Sequence, residues 1–140
     1  MAYLFDTNAI SETLRRRPNP EYLGWLSSVP AEQQFTSLLV VAELLAGAYG
    51  SPSPGKWLER IENEVLAAIT VLDFDYACAH QFGKLRAYLR GLGRPIGDVD
   101  TQIAATALTF DLVLVTANSK HFNQVPGLTT RAFQPGEGSY

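Results

Sequence analysis

The chain has 140 residues, enough for one domain with a hydrophobic core and too few for two ordinary ones. Hydrophobic residues make up 46% and charged residues 18%, which excludes disorder driven by high charge and low hydrophobicity. Eleven Lys and Arg against fourteen Asp and Glu give a formal charge of −3, a balance that argues against an anionic partner until the acids are placed. One cysteine, Cys78, permits no disulfide within the chain, and two histidines, His80 and His121, leave no zinc site of Cys/His type. Asp6 follows the first apolar residues too soon for a signal peptide, and no apolar run approaches the ~18 residues of a membrane span. A cytoplasmic protein with no membrane partner is expected.

Tyr3-Leu4-Phe5 reads as a buried strand, and Asp6-Thr7-Asn8 as the polar turn that caps a helix. A basic loop holds Arg15, Arg16 and Arg17 ahead of Pro18 and Pro20, after which Tyr22, Leu23, Trp25, Leu26 and Val29 recur at helical spacing. Residues 34–37 suit a second strand, and 38–49 a buried helix closed by Gly50. The Ser/Pro/Gly run at 51–55 is short enough to be a loop. A helix over about 56–68 and a strand at 70–72 follow, then a helix from Tyr76 to Gly91. Gly93, Pro95 and Gly97 make a rigid loop, 98–110 a mostly buried helix, and Leu112-Val113-Leu114-Val115 the clearest strand. A last short strand falls near 128–131, and residues from about 133 to 140 read as a flexible tail. Leu- and Val-rich strands alternating with helices predict an α/β fold with a mostly parallel central sheet of four to five strands covered on both faces. Ligands of such sheets sit beyond the carboxyl ends of the strands, where Asp6-Thr7-Asn8 and Thr116-Ala117-Asn118 stand.

Glu43 is the most informative residue. Its helical neighbours Leu39, Val40, Ala46 and Gly47 are apolar or small, so its carboxylate is expected to be buried or to face a cleft. Such a carboxylate must be paired with an arginine, protonated, or bound to a cation. Asp6 taken alone reads first as a helix cap, its place at a strand end favouring a functional role, and Asp98 reads as the N-cap of the 98–110 helix, which leaves Asp100 as a second acid where one cap suffices. Asn118 reads first as a turn residue. His80, among helical core positions, and His121, beside Phe122, read as structural. Together Asp6, Glu43, Asp100 and Asp98 are hard oxygen donors suited to Mg²⁺ or Mn²⁺, and their chemistry is metal-assisted hydrolysis of a phosphodiester by an activated water.

The fragments Leu4-Phe5-Asp6-Thr7-Asn8, Val41-Ala42-Glu43-Leu44, Gly93 to Asp100, Ile103-Ala104-Ala105-Thr106-Ala107, and Val115 to Phe122 with Val125-Pro126-Gly127-Leu128 resemble the PIN domain of VapC-type toxins. The resemblance runs in order over nearly the whole chain, as a single domain over 1–140. It implies a three-layer α/β/α fold and a Mg²⁺- or Mn²⁺-dependent endoribonuclease, a homodimer and the toxin of a type II toxin–antitoxin pair. An RNA substrate (transfer, ribosomal or messenger) and a VapB-like antitoxin are the implied partners. Asp6, Glu43 and Asp100 match the family's metal-binding acids. Asn118 stands at its fourth, acidic or polar, position, departing from those members that have Asp there, and Asp98 is the acid that could substitute. Thr7, Asn8, Thr116 and Ser119 are the candidates for holding these ligands by hydrogen bonds.

Arg15, Arg16, Arg17, Arg86, Arg90 and Arg94 are candidates for the RNA backbone, or else a solvated basic face. Tyr22, Leu23, Trp25, Leu26 and Trp57 suit a core, an antitoxin groove or a dimer surface. Two other readings remain: a PIN-like module that binds RNA or protein with little catalysis, and a phosphatase using Asp73-Phe74-Asp75 after the 70–72 strand. Without Asp6, Glu43, Asp98 and Asp100, ten acids stand against eleven bases, so the overall charge does not veto a nucleic acid.

Overall fold

The structure, a computed structural model, describes residues 1–138. Its strands are β1 (Tyr3–Phe5), β2 (Gln34–Ser37), β3 (Thr70–Leu72), β4 (Val113–Thr116) and β5 (Thr130–Ala132). They form one sheet in the order β3-β2-β1-β4-β5, with every pair parallel. The helices are α1 (Thr7–Glu12), α2 (Pro20–Ser27), α3 (Leu38–Tyr49), α4 (Pro54–Arg60), α5 (Tyr76–Gly91) and α6 (Asp98–Thr109). The helix expected over 56–68 begins earlier, at Pro54, and widens into a π-helical stretch at Ile61–Leu66, where Ile61 and Val65 are buried. Among the described residues, no helix is long and apolar enough to cross a membrane.

Parallel strands require crossovers, and crossovers are right-handed. The chain steps from β1 to β2 to β3 in one direction and places β4 and β5 on the other side of β1, so α1–α4 cover one face and α5 and α6 the other. Side-chain alternation agrees: Trp25 of α2 lies edge-on to Tyr3 at 5.1 Å and close to Phe5, while Leu4 and Leu114 point to the opposite layer, fully buried. Arg131, in register with Val115, also points to the α2 side and lies 4.0 Å over the Trp25 ring. Tyr22 is core, whereas Leu23 is exposed and Trp25 and Trp57 are half-buried. Strand order reverses between β1 and β4, so a crevice opens beyond their carboxyl ends.

α5 and α6 pack antiparallel. Cys78 lies near Thr106 and Thr109 at one end, and Arg86 meets Asp98 at the other. Cys78, Leu85 and Leu89 of α5 are buried, while His80, expected among core positions, is exposed together with Tyr76 and Tyr88. His80 is therefore a surface residue and no part of the core.

Residues expected as a flexible tail are fastened as far as they are described. Glu12, 1% exposed, accepts from the N–H groups of Asn19 (2.8 Å) and Gly136 (2.7 Å) and pairs with Arg15 at 3.0 Å. The Glu137 N–H donates to the Arg17 carbonyl, Asn19 Nδ2 to the Gln134 carbonyl, and Arg15 to the Gly138 carbonyl. A buried carboxylate needs such donors, and the returning chain supplies one. The rest of the expected tail, 139–140, lies outside the described residues.

A Cβ at Gly136 would lie 2.1 Å from the Arg17 carbonyl oxygen and 2.8 Å from the Asn19 nitrogen, contacts that backbone cannot relieve cheaply. Gly136→Ala should therefore cost about 2 kcal/mol in urea unfolding and expose the segment after 133 to proteolysis. Unchanged stability and unchanged cleavage would show that the segment is not fastened in solution.

Candidate active site

Asp6 ends β1 and begins α1. Its extended backbone (φ −76°, ψ 179°) leaves the strand while its carboxylate accepts the Ala9 N–H at 2.8 Å, so one residue is both strand terminus and N-cap. The Tyr22 hydroxyl donates to the Ala9 carbonyl at 2.6 Å, fastening the same turn to α2. Burial, next to Asp6 and Glu12, pushes the Tyr22 phenol up, which keeps it a neutral donor. Thr116, at the end of the neighbouring β4, gives Asp6 a side-chain hydrogen bond.

Asp6 is 8% exposed, and its carboxyl rises from the usual 3.8 to about 6. Desolvation is the largest cause. The negative charges of Asp100 and Glu43 add to it, against the hydrogen bonds from Thr116 and Ala9. The three candidate acids are thus close enough for Asp6, at the β1–α1 junction, to feel the charges of Glu43 on α3 and Asp100 on α6. Glu43 reaches the crevice from the second turn of α3, whose N-cap Ser37 ends β2, and its Oε1 accepts the Thr7 hydroxyl at 2.5 Å. Of the two alternatives for Glu43, the structure selects the cleft: the residue is exposed to the crevice rather than buried. α6 ends close to the start of β4, so its N-terminus, carrying Asp100, stands beside the far end of that strand.

Asp98 and Asp100 are two residues apart, which at 3.6 residues per turn turns their side chains about 200° from each other. Asp100 faces the crevice, and Asp98 pairs with Arg86 at 3.0 Å on the α5 side. The expected N-cap role for Asp98 is corrected: Gly97 is the N-cap, without a side-chain cap bond, and Asp98 is the first helical residue. Asn118 is exposed, and its backbone N–H donates to the Thr116 hydroxyl at 3.0 Å. Among the described residues, no hydrogen bond ties Asn8 or Ser119 to the acids, though Asn8 lines the same hollow as Thr7 and Glu43.

His121, read from sequence as structural, belongs to the site. Its Nε2 lies 3.1 Å from Asp100 Oδ2, and its ring meets Phe122 edge-on. It sits on a 3₁₀ turn (Ser119–Phe122) directly beyond β4. The only available signal was topological: a turn after that strand has to pass the N-terminus of α6.

Among the described residues, no three His, Cys, Asp or Glu side chains are drawn together tightly enough to hold an ion as they stand. The donor set nevertheless fits a hard divalent cation. Oxygen donors surround a buried carboxyl whose neighbours are both anionic, and a cation is what relieves that repulsion.

The PIN domain family model matches residues 3–128. The chain belongs to this family. Toxin FitB of Neisseria gonorrhoeae is 34% identical over 124 residues, 85% of this chain and 89% of its own length. The tRNA(fMet)-specific endonuclease VapC of Shigella flexneri is 34% identical over 130 residues, 93% of this chain and 96% of its own. Among solved structures, VapBC2 from Rickettsia felis bound to a promoter DNA fragment is similar with a TM-score of 0.86 at 28% identity, covering 94% of this chain and 98% of that one. The sheet and its covering helices are those of a PIN fold.

The phosphatase reading finds no support in this PIN domain. Asp75 caps α5 by accepting the Cys78 N–H at 2.9 Å, Asp73 is exposed, and both follow the edge strand β3, away from the order reversal. Of the first arginine cluster, Arg15 is engaged by Glu12 and Gly138, while Arg16 and Arg17 are exposed.

A carboxyl raised from 3.8 to about 6 keeps its proton in the folded state where the unfolded chain has lost it. Folding stability without metal should therefore fall as pH rises from about 4 to about 6, by about 3 kcal/mol in total. Asp6→Asn should remove that slope and stabilise the chelator-treated protein at pH 7 by a similar amount in urea unfolding. A flat wild-type profile would contradict the burial of this charge.

Proposed function

We propose that this PIN domain is an endoribonuclease that hydrolyses RNA phosphodiesters with Mg²⁺ or Mn²⁺ and acts as the toxin of a toxin–antitoxin pair. The observation that carries the reading is the approach of Asp6, at the β1–α1 junction, Glu43 of α3 and Asp100 of α6 to one another at the order reversal of the sheet. The relatives named VapC and FitB support the nuclease and toxin parts, and the VapBC complexes support a cognate, VapB-like antitoxin. Homodimerisation, a transfer, ribosomal or messenger RNA substrate, and action in the cytoplasm complete the proposal.

Asp6, Glu43 and Asp100 would hold the ion, with Asn118 exposed after β4 and Asp98 turned to Arg86. A bound Mg²⁺ or Mn²⁺ supplies positive charge to the phosphate oxygens and makes water a stronger nucleophile. The chain's own residues prepare that chemistry. Thr116 and the Ala9 N–H hold Asp6, the Thr7 hydroxyl holds Glu43, and His121 steadies Asp100. Burial makes the Asp6 carboxylate costly to leave without a counter-charge, which a cation held there would supply. The arginines outside the crevice bring a polyanion to a site that is itself acidic.

Asp6→Asn, Glu43→Gln and Asp100→Asn should each abolish cleavage of bulk tRNA or total cellular RNA while the circular dichroism spectrum is retained. Thr116→Val, which leaves the acids in place, should lower activity at limiting Mn²⁺ by roughly 10- to 100-fold and recover with excess metal. Sequencing the RNA ends made on induction in cells identifies the substrate. Wild-type activity in any folded acid variant at low metal would sink the assignment, and an inactive wild type that still binds RNA would establish the non-cleaving module instead.

A further inference from the structure

Beside the acid crevice, on the other flank of the first turn of α6, lies a second hollow of about 200 Å³. Arg86 and Arg90 of α5 and Asp98 of α6 form its charged walls, and Leu89, Ile96 and Thr101 its floor. Leu89 and Thr101 are 1% and 2% exposed, so the floor belongs to the packed α5–α6 contact and is rigid. The Arg86 and Asp98 side chains are 37% and 62% exposed at 3.0 Å. A pair so open to water contributes little to folding. Arg90 projects into solvent one helical turn beyond Arg86, and Arg94 follows on the loop.

We infer that this hollow is a seat for a backbone phosphate of the RNA flanking the cleaved bond, and that the Asp98 carboxylate is a stand-in which the phosphate displaces from Arg86. The inference rests on the proposed nuclease reading and adds to it a named contact and a named competitor. Three observations carry it. The crevice concentrates three acids in a chain of net charge −3, so a polyanion needs cations close by to approach at all. The hollow supplies two guanidinium groups against one carboxylate, on a rigid floor. It also adjoins the crevice through a single helical turn, about 10 Å across with side chains, within the reach of one strand of RNA. Guanidinium suits this exchange, because its planar fork binds carboxylate and phosphate in the same manner.

The test is the binding of fluorescein-labelled bulk tRNA to the full chain in Mg²⁺, read by anisotropy across a KCl titration in the non-cleaving Asp6→Asn background. Arg86→Gln and Arg90→Gln should each weaken binding and flatten the log–log salt dependence by about 0.7. Asp98→Asn should tighten binding by about two- to five-fold, the range open to the loss of an exposed ion pair, and should lose most of that gain when combined with Arg86→Gln. Unfolding midpoints guard against a trivial loss of fold, and Arg86→Lys, which keeps the charge, should retain most of the affinity. Asp98→Asn binding that is unchanged or weaker overturns the proposal, as does a gain equally large without Arg86, which would mean a general charge effect. Binding indifferent to Arg86 and Arg90 also overturns it, assigning that surface to a partner other than RNA. Failure of the nuclease reading looks different: the chain with Asp6 intact would then cut no RNA, whatever stands at 86 and 98 and whether or not RNA is bound.

Discussion

Asp6 is asked to be three things at once: the end of the central strand, the cap of the helix that follows, and a carboxylate facing two others. Each role constrains the rest of the molecule. As strand end it lies where the order of the sheet reverses, which places β4 and its Thr116 beside it. As cap it fixes the entry of α1, and with α1 the positions of Thr7 and, farther along, Glu12. Its burial makes its ionisation unfavourable, a cost that the cation of the proposed function would relieve.

The two ends of α1 solve the same problem differently. Asp6, the N-cap, and Glu12, the last residue, are both buried carboxylates at the ends of a helix of only six residues. Glu12 is satisfied within the protein by two backbone N–H groups and Arg15, and its role is to hold the returning C-terminal segment. Asp6 receives two hydrogen bonds and two repulsive neighbours, and its carboxyl is displaced upward. A carboxylate satisfied by the fold is structural, and one raised chiefly by desolvation, with like charges adding to it, is a candidate for chemistry. The same contrast separates Asp98, paired with Arg86, from Asp100, which looks towards the other acids.

Much of this was legible in the sequence because it is local. The alternation of apolar strands with helical periods gave the α/β layering, and a polar residue after a strand marks a crevice wherever the sheet is parallel. Glu43 stood out because nothing near it in the helix explained a charge, and its acceptance of the Thr7 hydroxyl across the crevice agrees with that reasoning. Asp98 and Asp100 looked alike in the sequence. The 100° turn per residue separates them, but which of the two faces the crevice depends on where α5 packs, and that is a long-range fact. His121 and the fastened segment after 133 were missed for the same reason, since their partners lie 21 and more than 100 residues away.

By itself, then, the sequence determined the layered fold and the run of elements, and it singled out Asp6, Glu43 and Asp100 as candidates to hold a cation. Those follow from periodicity, capping preferences and ligand type, each a property of a few adjacent residues. The tertiary structure alone decided that Glu43 is open to a crevice rather than buried, that Asp98 is turned to an arginine, that His121 reaches Asp100, and that Glu12 gathers the end of the chain. Each of these depends on the approach of segments far apart in sequence, set by the packing of helices on a twisted parallel sheet. No short pattern records that distance.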